Sequence, residues 1–232
     1  MRAGLLLLCA MFCGACAFAQ TAGVQIAPVM VTLSPDHAIS SLRLQNGRGD
    51  RVAFEAEAFA WRQDSGDDVL TPTADLVIAP GVFEIPAGGQ QIVRLGVIAP
   101  AATGEQAFRI LLRELPRPHA AGARLGFTLE MSLPVFVRAA GAAHALEAAL
   151  AADGRRVILT NRGAAHAHIL HLADQAGRPL GAPRRYLLAG ASMAIAAPGD
   201  VTALRIVQAE ALGGAAEQVF DVAGAPSRHR GP

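Results

Sequence analysis

One stretch of the chain, residues 124–137, constrains the fold more than any other. Every second position within it carries a large apolar side chain, namely Leu125, Phe127, Leu129, Met131, Leu133, Val135 and Val137. Side chains alternate between the two faces of a β-strand, so this spacing puts all seven on one face. The other face carries small or polar residues, and Pro134 cannot donate a hydrogen bond to a neighbouring strand. We therefore predict a long strand that lies at a sheet edge near Pro134.

Short apolar runs broken by Gly, Pro, Asn and Asp fill the chain from residue 24 onwards. This pattern is typical of a β-sandwich, and about seven strands in roughly 115 residues fit one immunoglobulin-like domain. The turn after the second strand contains Arg48-Gly49-Asp50, a tripeptide that integrins bind, which we interpret as an ordinary hairpin turn. The predicted strands are 24–33, 39–45, 51–61, 75–78, 91–98, 107–115 and 124–137.

After residue 137 the chain becomes rich in alanine, and residues 138–141 form the expected hinge. A second set of short apolar runs predicts a second, smaller β domain. One segment leaves two alternatives open, because residues 142–152 have a strong helix propensity and precede Gly154, a typical helix cap, whereas a sandwich requires a strand there. The predicted strands of this domain are 156–160, 166–173, 179–188, 192–196, 203–208 and 217–222.

The N-terminal segment has the features of a secretory signal peptide. A basic start leads into an apolar stretch that is too short to span a bilayer, and Ala17-Phe18-Ala19 provides a small-x-small cleavage site. We therefore predict a signal peptide at residues 1–19, domains at 20–138 and 139–223, and a flexible tail at 224–232. No later stretch predicts a membrane-spanning helix, so we expect no insertion into a membrane.

Residue counts exclude several classes of function. All three cysteines lie within residues 1–19, which excludes a disulfide or a thiolate metal site in the remaining chain. The 20 basic and 19 acidic residues give a net charge of +1, which argues against nucleic-acid binding. Every basic residue is an arginine, so any anion held by a cationic side chain is held by Arg.

The side chains that could support catalysis or bind a metal show no suitable spacing. Serines, aspartates and histidines form no nucleophile elbow or other catalytic pattern, so we predict neither an enzyme nor a cofactor. On a strand, His166 and His168 share a face while His171 points to the other, so the three histidines do not converge on one metal ion.

Six segments occur in an order that resembles a known protein family. They are Trp61 with Gln63, APGVFEIPAGGQQIVRL at 79–95, FRILLRELP at 108–116, LPVFV at 133–137, and, in the second domain, LTNRGAAH at 159–166 with YLLAG at 186–190. Together they resemble the periplasmic chaperones of the chaperone-usher pilus pathway. The second-domain segments are similar to its archaic branch, which serves spore-coat-U-like subunits and lacks a disulfide.

The resemblance implies an all-β fold of two immunoglobulin-like domains in a boomerang arrangement, located in the periplasm. It implies that the chain binds pilus or spore-coat-U-like subunits by donor-strand complementation and delivers them to an outer-membrane usher. Arg138, at the hinge, corresponds to a position that forms an interdomain salt bridge, here with Asp200 or Glu105. The donor residues implied are Leu125, Phe127, Leu129 and Met131.

The sequence departs from the best-known branch of that family where a subunit's terminal carboxylate is anchored. Met30 and Pro134 occupy the positions at which that branch has an arginine and a lysine. We expect Arg109 to replace them, because it lies on the strand that pairs with the donor strand and points away from the apolar face. Further candidates are Arg94 and Arg113. The alternative for Arg109 is a cross-strand ion pair with Glu130.

A second function remains open, that of an exported two-domain β-sandwich protein with a structural or adhesive role at the cell surface. A helix over residues 142–152 would favour this alternative. A donor strand paired on both sides within its own sheet would favour it too.

Overall fold

A computed structural model describes residues 23–116, 128–181, 185–197, 201–209 and 214–223. Within these ranges the chain forms strands and no helix, so no described segment is a helix able to cross a membrane. The all-β prediction is confirmed. The strands are β1 Val24–Ala27, β2 Val31–Leu33, β3 Ile39–Asn46, β4 Val52–Asp64, β5 Asp67–Pro72, β6 Leu76–Ala79, β7 Val82–Ile85, β8 Gln90–Val97, β9 Glu105–Glu114, β10 Glu130–Arg138, β11 Leu146–Leu150, β12 Arg156–Asn161, β13 Ala167–Asp174, β14 Arg185–Leu187, β15 Ser192–Ala196, β16 Ala203–Ala209 and β17 Ala215–Ala223.

Two sheets form the first domain. One has the strand order β1-β3-β8-β6, and the other has the order β2-β10-β9-β4-β5, with β7 also paired to β4. The single strand predicted over residues 24–33 is two strands, because β1 pairs with β3 while β2 runs parallel to β10 in the other sheet. Pro28 lies between them, and its missing N–H cannot continue a ladder.

The core of the first domain lies between the inner faces of these sheets. The alternating run of residues 124–137 contributes Leu133, Val135 and Val137, each at most 4% exposed. Burial of such an aliphatic side chain contributes about 1.5–3 kcal/mol. Strands β5 and β7 were absent from the sequence prediction. Most residues of β5 are exposed, so it lacks the alternation of apolar and polar residues that reveals a half-buried strand.

The second domain has one continuous path of seven strands, β14-β13-β16-β17-β11-β12-β15, around its own core. Residues Leu146–Leu150 form strand β11, which resolves the choice between helix and strand. Leu146 and Ala148 are buried and Glu147 is exposed, so packing against β12 and β17 overrides the helix propensity of the alanines. Among the described residues of the predicted strand 179–188, Arg185–Leu187 form β14, and Pro179 forms an isolated bridge with Ala173.

A fully buried asparagine organises the same turn in each domain. Asn46 ends β3 and Asn161 ends β12, and the side-chain oxygen of each accepts a hydrogen bond at 3.0 Å from the amide two residues later. The two hydrogens of each Nδ2 are shared among three backbone carbonyls within hydrogen-bond distance, those of Asp50, Ile85 and Pro86 in the first domain and of Ala165, Leu187 and Leu188 in the second.

Candidate functional site

Strand β10 has an open edge over its first half. It pairs with β9 along its whole length, from Glu130 opposite Arg113 to Arg138 opposite Glu105. On its other side the parallel strand β2 covers only Val135–Val137. No other described strand pairs with residues 130–134. The structure therefore confirms the sheet edge predicted near Pro134, and the backbone groups on that side are available to another strand.

The implied donor residues lie at and before the start of this edge. Leu129 and Met131 are half-buried against the core of the first domain, in line with the fully buried Leu133. Leu125 and Phe127 lie outside the described residues. The opposite face of the strand differs from the prediction in one respect. It carries Phe136, which is buried because the second domain covers that end of the strand.

A buried carboxylate holds the donor segment at Leu129. The N–H of Glu114 donates to the carbonyl of Leu129 at 2.8 Å, and the N–H of Leu129 donates to Oε2 of Glu114 at 3.2 Å. Arg48 donates two hydrogen bonds to the same carboxylate, at 2.6 and 3.0 Å. Sequence reasoning identified neither side chain of this pair as functional. The arginine of the Arg-Gly-Asp tripeptide is therefore bound within its own domain.

Arg109 lies in the cleft between the domains, opposite Pro134 of β10. Its side chain is only 16% exposed, and its Cζ lies 3.8 Å from the centroid of the Trp61 ring. The nearest carboxylate is that of Asp68, whose Oδ2 lies 3.9 Å from Nη2. Burial lowers the pKa of Arg109, and the charge of Asp68 partly opposes this effect. The guanidinium is desolvated and has only one distant charge partner among the described residues.

The cleft around Arg109 encloses a cavity of about 340 Å³ with walls from both domains. The indole N–H of Trp61 is buried, and no described residue accepts a hydrogen bond from it. An indole donor and an arginine fork are the groups that a carboxylate can bind. The side chains that form the walls include those of Trp61, Asp68, Arg109, Arg185, Tyr186 and Ser192.

The predicted ion pair between Arg109 and Glu130 does not form. The register places Glu130 opposite Arg113, and Nε of Arg113 donates to Glu130 at 3.1 Å. Arg113 also contacts Glu57, and these acidic partners raise its pKa, Glu130 most strongly. Arg113 is therefore already paired.

The other positions considered for a carboxylate anchor lie in different surroundings. Arg94 is exposed on strand β8, in the other sheet of the first domain, so the structure does not bring it to Arg109. Met30 lies close to the second domain, and its Sδ is 3.7 Å from the hydroxyl of Tyr186. Pro134 is buried. Of the three arginine candidates, only Arg109 lines the cleft cavity.

A buried polar cluster joins the two domains beside this cleft. Nε of Arg138 donates to Oε2 of Glu105 at 2.7 Å, while Oε1 of Glu105 accepts the backbone N–H of His166 at 2.8 Å. Burial tends to raise the pKa of Glu105, but hydrogen bonds from His166 and Arg138 outweigh it and hold the pKa below its ordinary value. Asp200, the other partner expected for Arg138, lies outside the described residues.

Aromatic and amide contacts complete the joint. The rings of Phe136 and His166 stack with their centroids 3.6 Å apart, and Trp61, Phe136 and Leu188 form a small apolar cluster between the domains. Gln63 donates to the carbonyl of Tyr186 and accepts the N–H of Leu188, both at 2.9 Å. Trp61 and Gln63, which form the first segment of the family resemblance, therefore both lie at the contact between the domains.

Comparison with known proteins gives one family and a set of similar structures. The family model described as "Pili and flagellar-assembly chaperone, PapD N-terminal domain" matches residues 23–143. No curated protein matches the chain. A chain in the CsuC–CsuE chaperone–tip adhesion subunit pre-assembly complex, from archaic chaperone-usher Csu pili of Acinetobacter baumannii, is similar with a TM-score of 0.72 and 20% identity. That match covers 87% of this chain and 99% of the other.

Two further solved structures have the same architecture. The complex of the Salmonella enterica SafA pilin with the SafB chaperone matches with a TM-score of 0.71 and 14% identity, over 86% of this chain and 96% of that chain. The E. coli chaperone DraB matches with a TM-score of 0.68 and 15% identity, over 86% of this chain and 95% of the other. At these identities the likeness shows the fold, which is that of two immunoglobulin-like β-sandwich domains.

Proposed function

The chain belongs to the family of pilus and flagellar-assembly chaperones, and from this premise we propose that it binds its subunits along the open edge of β10. The single observation that carries the proposal is that no described strand pairs with one side of residues 130–134, which lie next to a row of apolar side chains. The partners we propose are pilus or spore-coat-U-like protein subunits. The SafA–SafB and CsuC–CsuE complexes support this partner class, because each holds a chaperone with a subunit.

Donor-strand complementation follows from the chemistry of this edge. A subunit that lacks one strand has an apolar groove and unpaired backbone groups, and β10 offers both missing components. A strand of the subunit pairs with the open side of β10 up to Val135, where β2 begins. The four donor residues, Leu125, Phe127, Leu129 and Met131, enter the groove. Complete burial of four such side chains is worth about 6–12 kcal/mol before the cost of ordering them.

Leu129 and Met131 each contribute less than complete burial from water would give. They are already half-buried in the free chain, so binding removes less apolar surface from water. The apolar gain from these two side chains is therefore smaller than that of complete burial.

Arg109 is the residue that we assign to the end of the bound subunit. A carboxylate in the cleft gains a desolvated guanidinium and lies beside the indole of Trp61, whose N–H has no acceptor among the described residues. The carboxylate of Asp68 is too distant for a hydrogen bond with Arg109, and it is half exposed. An incoming carboxylate can therefore replace Asp68 as the charge partner of Arg109. Arg109 thereby replaces the basic anchors whose positions Met30 and Pro134 occupy.

The proposed route begins with export. Residues 1–19 direct the chain to the periplasm and are removed, which leaves domains at 20–138 and 139–223 and a tail at 224–232. There the chaperone keeps each subunit folded and transfers it to an outer-membrane usher. The similarity to a complex from a chaperone-usher system supports this destination.

The alternative, a structural or adhesive surface protein, loses both features that would favour it. Residues Leu146–Leu150 form a strand and not a helix. Over residues 130–134 the donor strand has a neighbour on one side only among the described strands.

Co-purification tests the proposal. The tagged chain is expressed in a bacterial periplasm together with the small secreted proteins encoded beside its gene, and bound proteins are identified by mass spectrometry. The expected result is a one-to-one complex with a small β subunit. Leu129→Arg is expected to reduce the recovered subunit about ten-fold or more, because it places a guanidinium in an apolar groove. Val82→Arg, at a position 61% exposed on β7, is the matched control and should have no effect. Absence of any partner, or equal recovery with Leu129→Arg, contradicts the proposal.

A further inference from the structure

The carboxylate of Glu114 extends the ladder between β9 and β10 by one residue. The last regular pair of that ladder is Arg113 with Glu130. At the next position the backbone N–H of Glu114 donates to the carbonyl of Leu129. The N–H of Leu129 bonds to Oε2 of the Glu114 side chain at 3.2 Å. A side chain thus fixes the backbone of Leu129, the first described residue of the donor segment to lie against the core.

Arg48 makes this arrangement possible. The Glu114 side chain is only 5% exposed, and a buried carboxylate is costly without a counter charge. Arg48 supplies that charge through two hydrogen bonds, at 2.6 and 3.0 Å. The side chain of Arg48 reaches Glu114 because the backbone of Arg48 is held in the turn. Oδ1 of the buried Asn46 accepts the backbone N–H of Arg48.

The second domain contains a natural control. Its equivalent turn follows Asn161 and carries Arg162, which pairs with Glu147 at 2.6 Å. Both side chains of that pair are more than 60% exposed, and exposed ion pairs contribute little. The arginine stands two residues after the asparagine in the first domain but one residue after it in the second. Arg48 reaches a buried carboxylate beside the donor segment, whereas the arginine of the second domain forms an exposed pair.

We propose that Arg48 and Glu114 are a positioning pair that fixes the backbone of Leu129 and so sets the register of the subunit-binding segment. The register matters because a shift by one residue would turn every donor side chain to the opposite face of the strand. This inference rests on the proposed function, since it assigns the register to subunit binding.

Amide hydrogen exchange of the free protein gives the first test. Glu114→Gln keeps the size of the side chain but removes the charge, and we expect the amide of Leu129 to exchange about ten-fold faster. Arg48→Lys retains one charge without the two-pronged contact and should give a smaller increase at the same amide. Amides of β12 and β15 should be unchanged in both variants. Glu147→Gln, the matched control, should leave the Leu129 amide unchanged. Unchanged exchange at Leu129 in both Glu114→Gln and Arg48→Lys overturns the inference.

Subunit capture gives the second test, with the small secreted proteins of the co-purification experiment as the probe. Arg48→Ala is expected to lower recovery of the subunit about ten-fold, and Arg48→Lys to restore part of it, while Arg162→Ala has no effect. If the unchanged protein captures a subunit and Arg48→Ala captures it equally well, the positioning pair is refuted and the proposed function stands. If the unchanged protein captures nothing, the proposed function fails, and this inference fails with it even when exchange at Leu129 responds.

Discussion

The turn after Asn46 and the turn after Asn161 are built alike but serve different ends. In both, a fully buried asparagine binds three carbonyls and an amide two residues later. In the first domain the arginine of the turn binds the buried Glu114, and in the second it binds the exposed Glu147. The hydrogen bonds of the asparagine, which both turns share, stabilise the fold of each β-sandwich. The difference lies in the position of the arginine, two residues after Asn46 but one residue after Asn161, and in the glutamate that it contacts. The contact in the first domain lies beside the open edge of β10.

The largest loss of stability is expected from replacing the buried asparagine that both turns share. Asn46→Ala and Asn161→Ala each leave several buried backbone groups without a partner, so each should lower the free energy of unfolding by about 3–5 kcal/mol. Urea unfolding of each variant measures this loss. Each variant serves as the control of the other, and a loss confined to one of them would show that the turns are not equivalent.

The next effect separates the two turns. Arg48→Ala removes the counter charge of a buried carboxylate and should lower the free energy of unfolding by about 2 kcal/mol, allowing for the partial exposure of Arg48. Arg162→Ala breaks an exposed pair and should cost less than about 0.5 kcal/mol. The same urea titrations give both values. Equal losses would mean that the burial of Glu114 has no energetic consequence.

The contrast between buried and exposed arginines extends to the cleft. Arg109→Ala should weaken subunit binding about ten-fold, because it removes a desolvated donor from the proposed carboxylate site. Arg94→Ala, on the exposed face of the other sheet, should leave the affinity within about a factor of two. Titration of the purified complex against each variant provides the affinities. A loss of affinity with Arg94→Ala as large as with Arg109→Ala would contradict the assignment.

The smallest effect concerns the joint at which the two domains meet. Hydrogen bonds from His166 and Arg138 hold the pKa of Glu105 below its ordinary value of 4.5. A carboxyl with a lowered pKa stabilises the folded state fully above the unfolded pKa, and this contribution disappears as the pH falls through the folded pKa. Stability should therefore decline below about pH 4.5, and Glu105→Gln should flatten that decline. Urea unfolding midpoints, determined from neutral to acidic pH, measure this decline in stability. An equally steep decline in Glu105→Gln would exclude a role for Glu105.

Local sequence patterns predicted much of the fold but little of the site. The alternation over residues 124–137 identified β10 and its edge, because a period of two is a local property of the chain. Strand β5 was missed because its side chains lack that period. For Leu146–Leu150 the helix propensity of alanine competed with packing against β12 and β17, which the sequence does not display.

The contacts of the site depend on register and on distant pairing. The alternative considered for Arg109, an ion pair with Glu130, does not form because Glu130 lies opposite Arg113. Glu114 and Arg48 are 66 residues apart, and only the folded turn after Asn46 brings them together. The stacking of Arg109 on Trp61 likewise requires the pairing of β4 with β9. Such contacts leave no periodic signal in a single sequence.

Site-specific cross-linking tests the central claim, the binding of a subunit along β10, most directly. Beyond Cys16 the chain has no cysteine, so Ser132→Cys introduces a single reactive thiol at the exposed edge. Ser41→Cys, exposed on β3 of the other sheet, is the matched control. With a photoactivatable maleimide cross-linker attached to each thiol, we expect the captured subunit to cross-link to position 132 and not to position 41. Cross-linking at position 41 alone, or equal cross-linking at both positions, would contradict it.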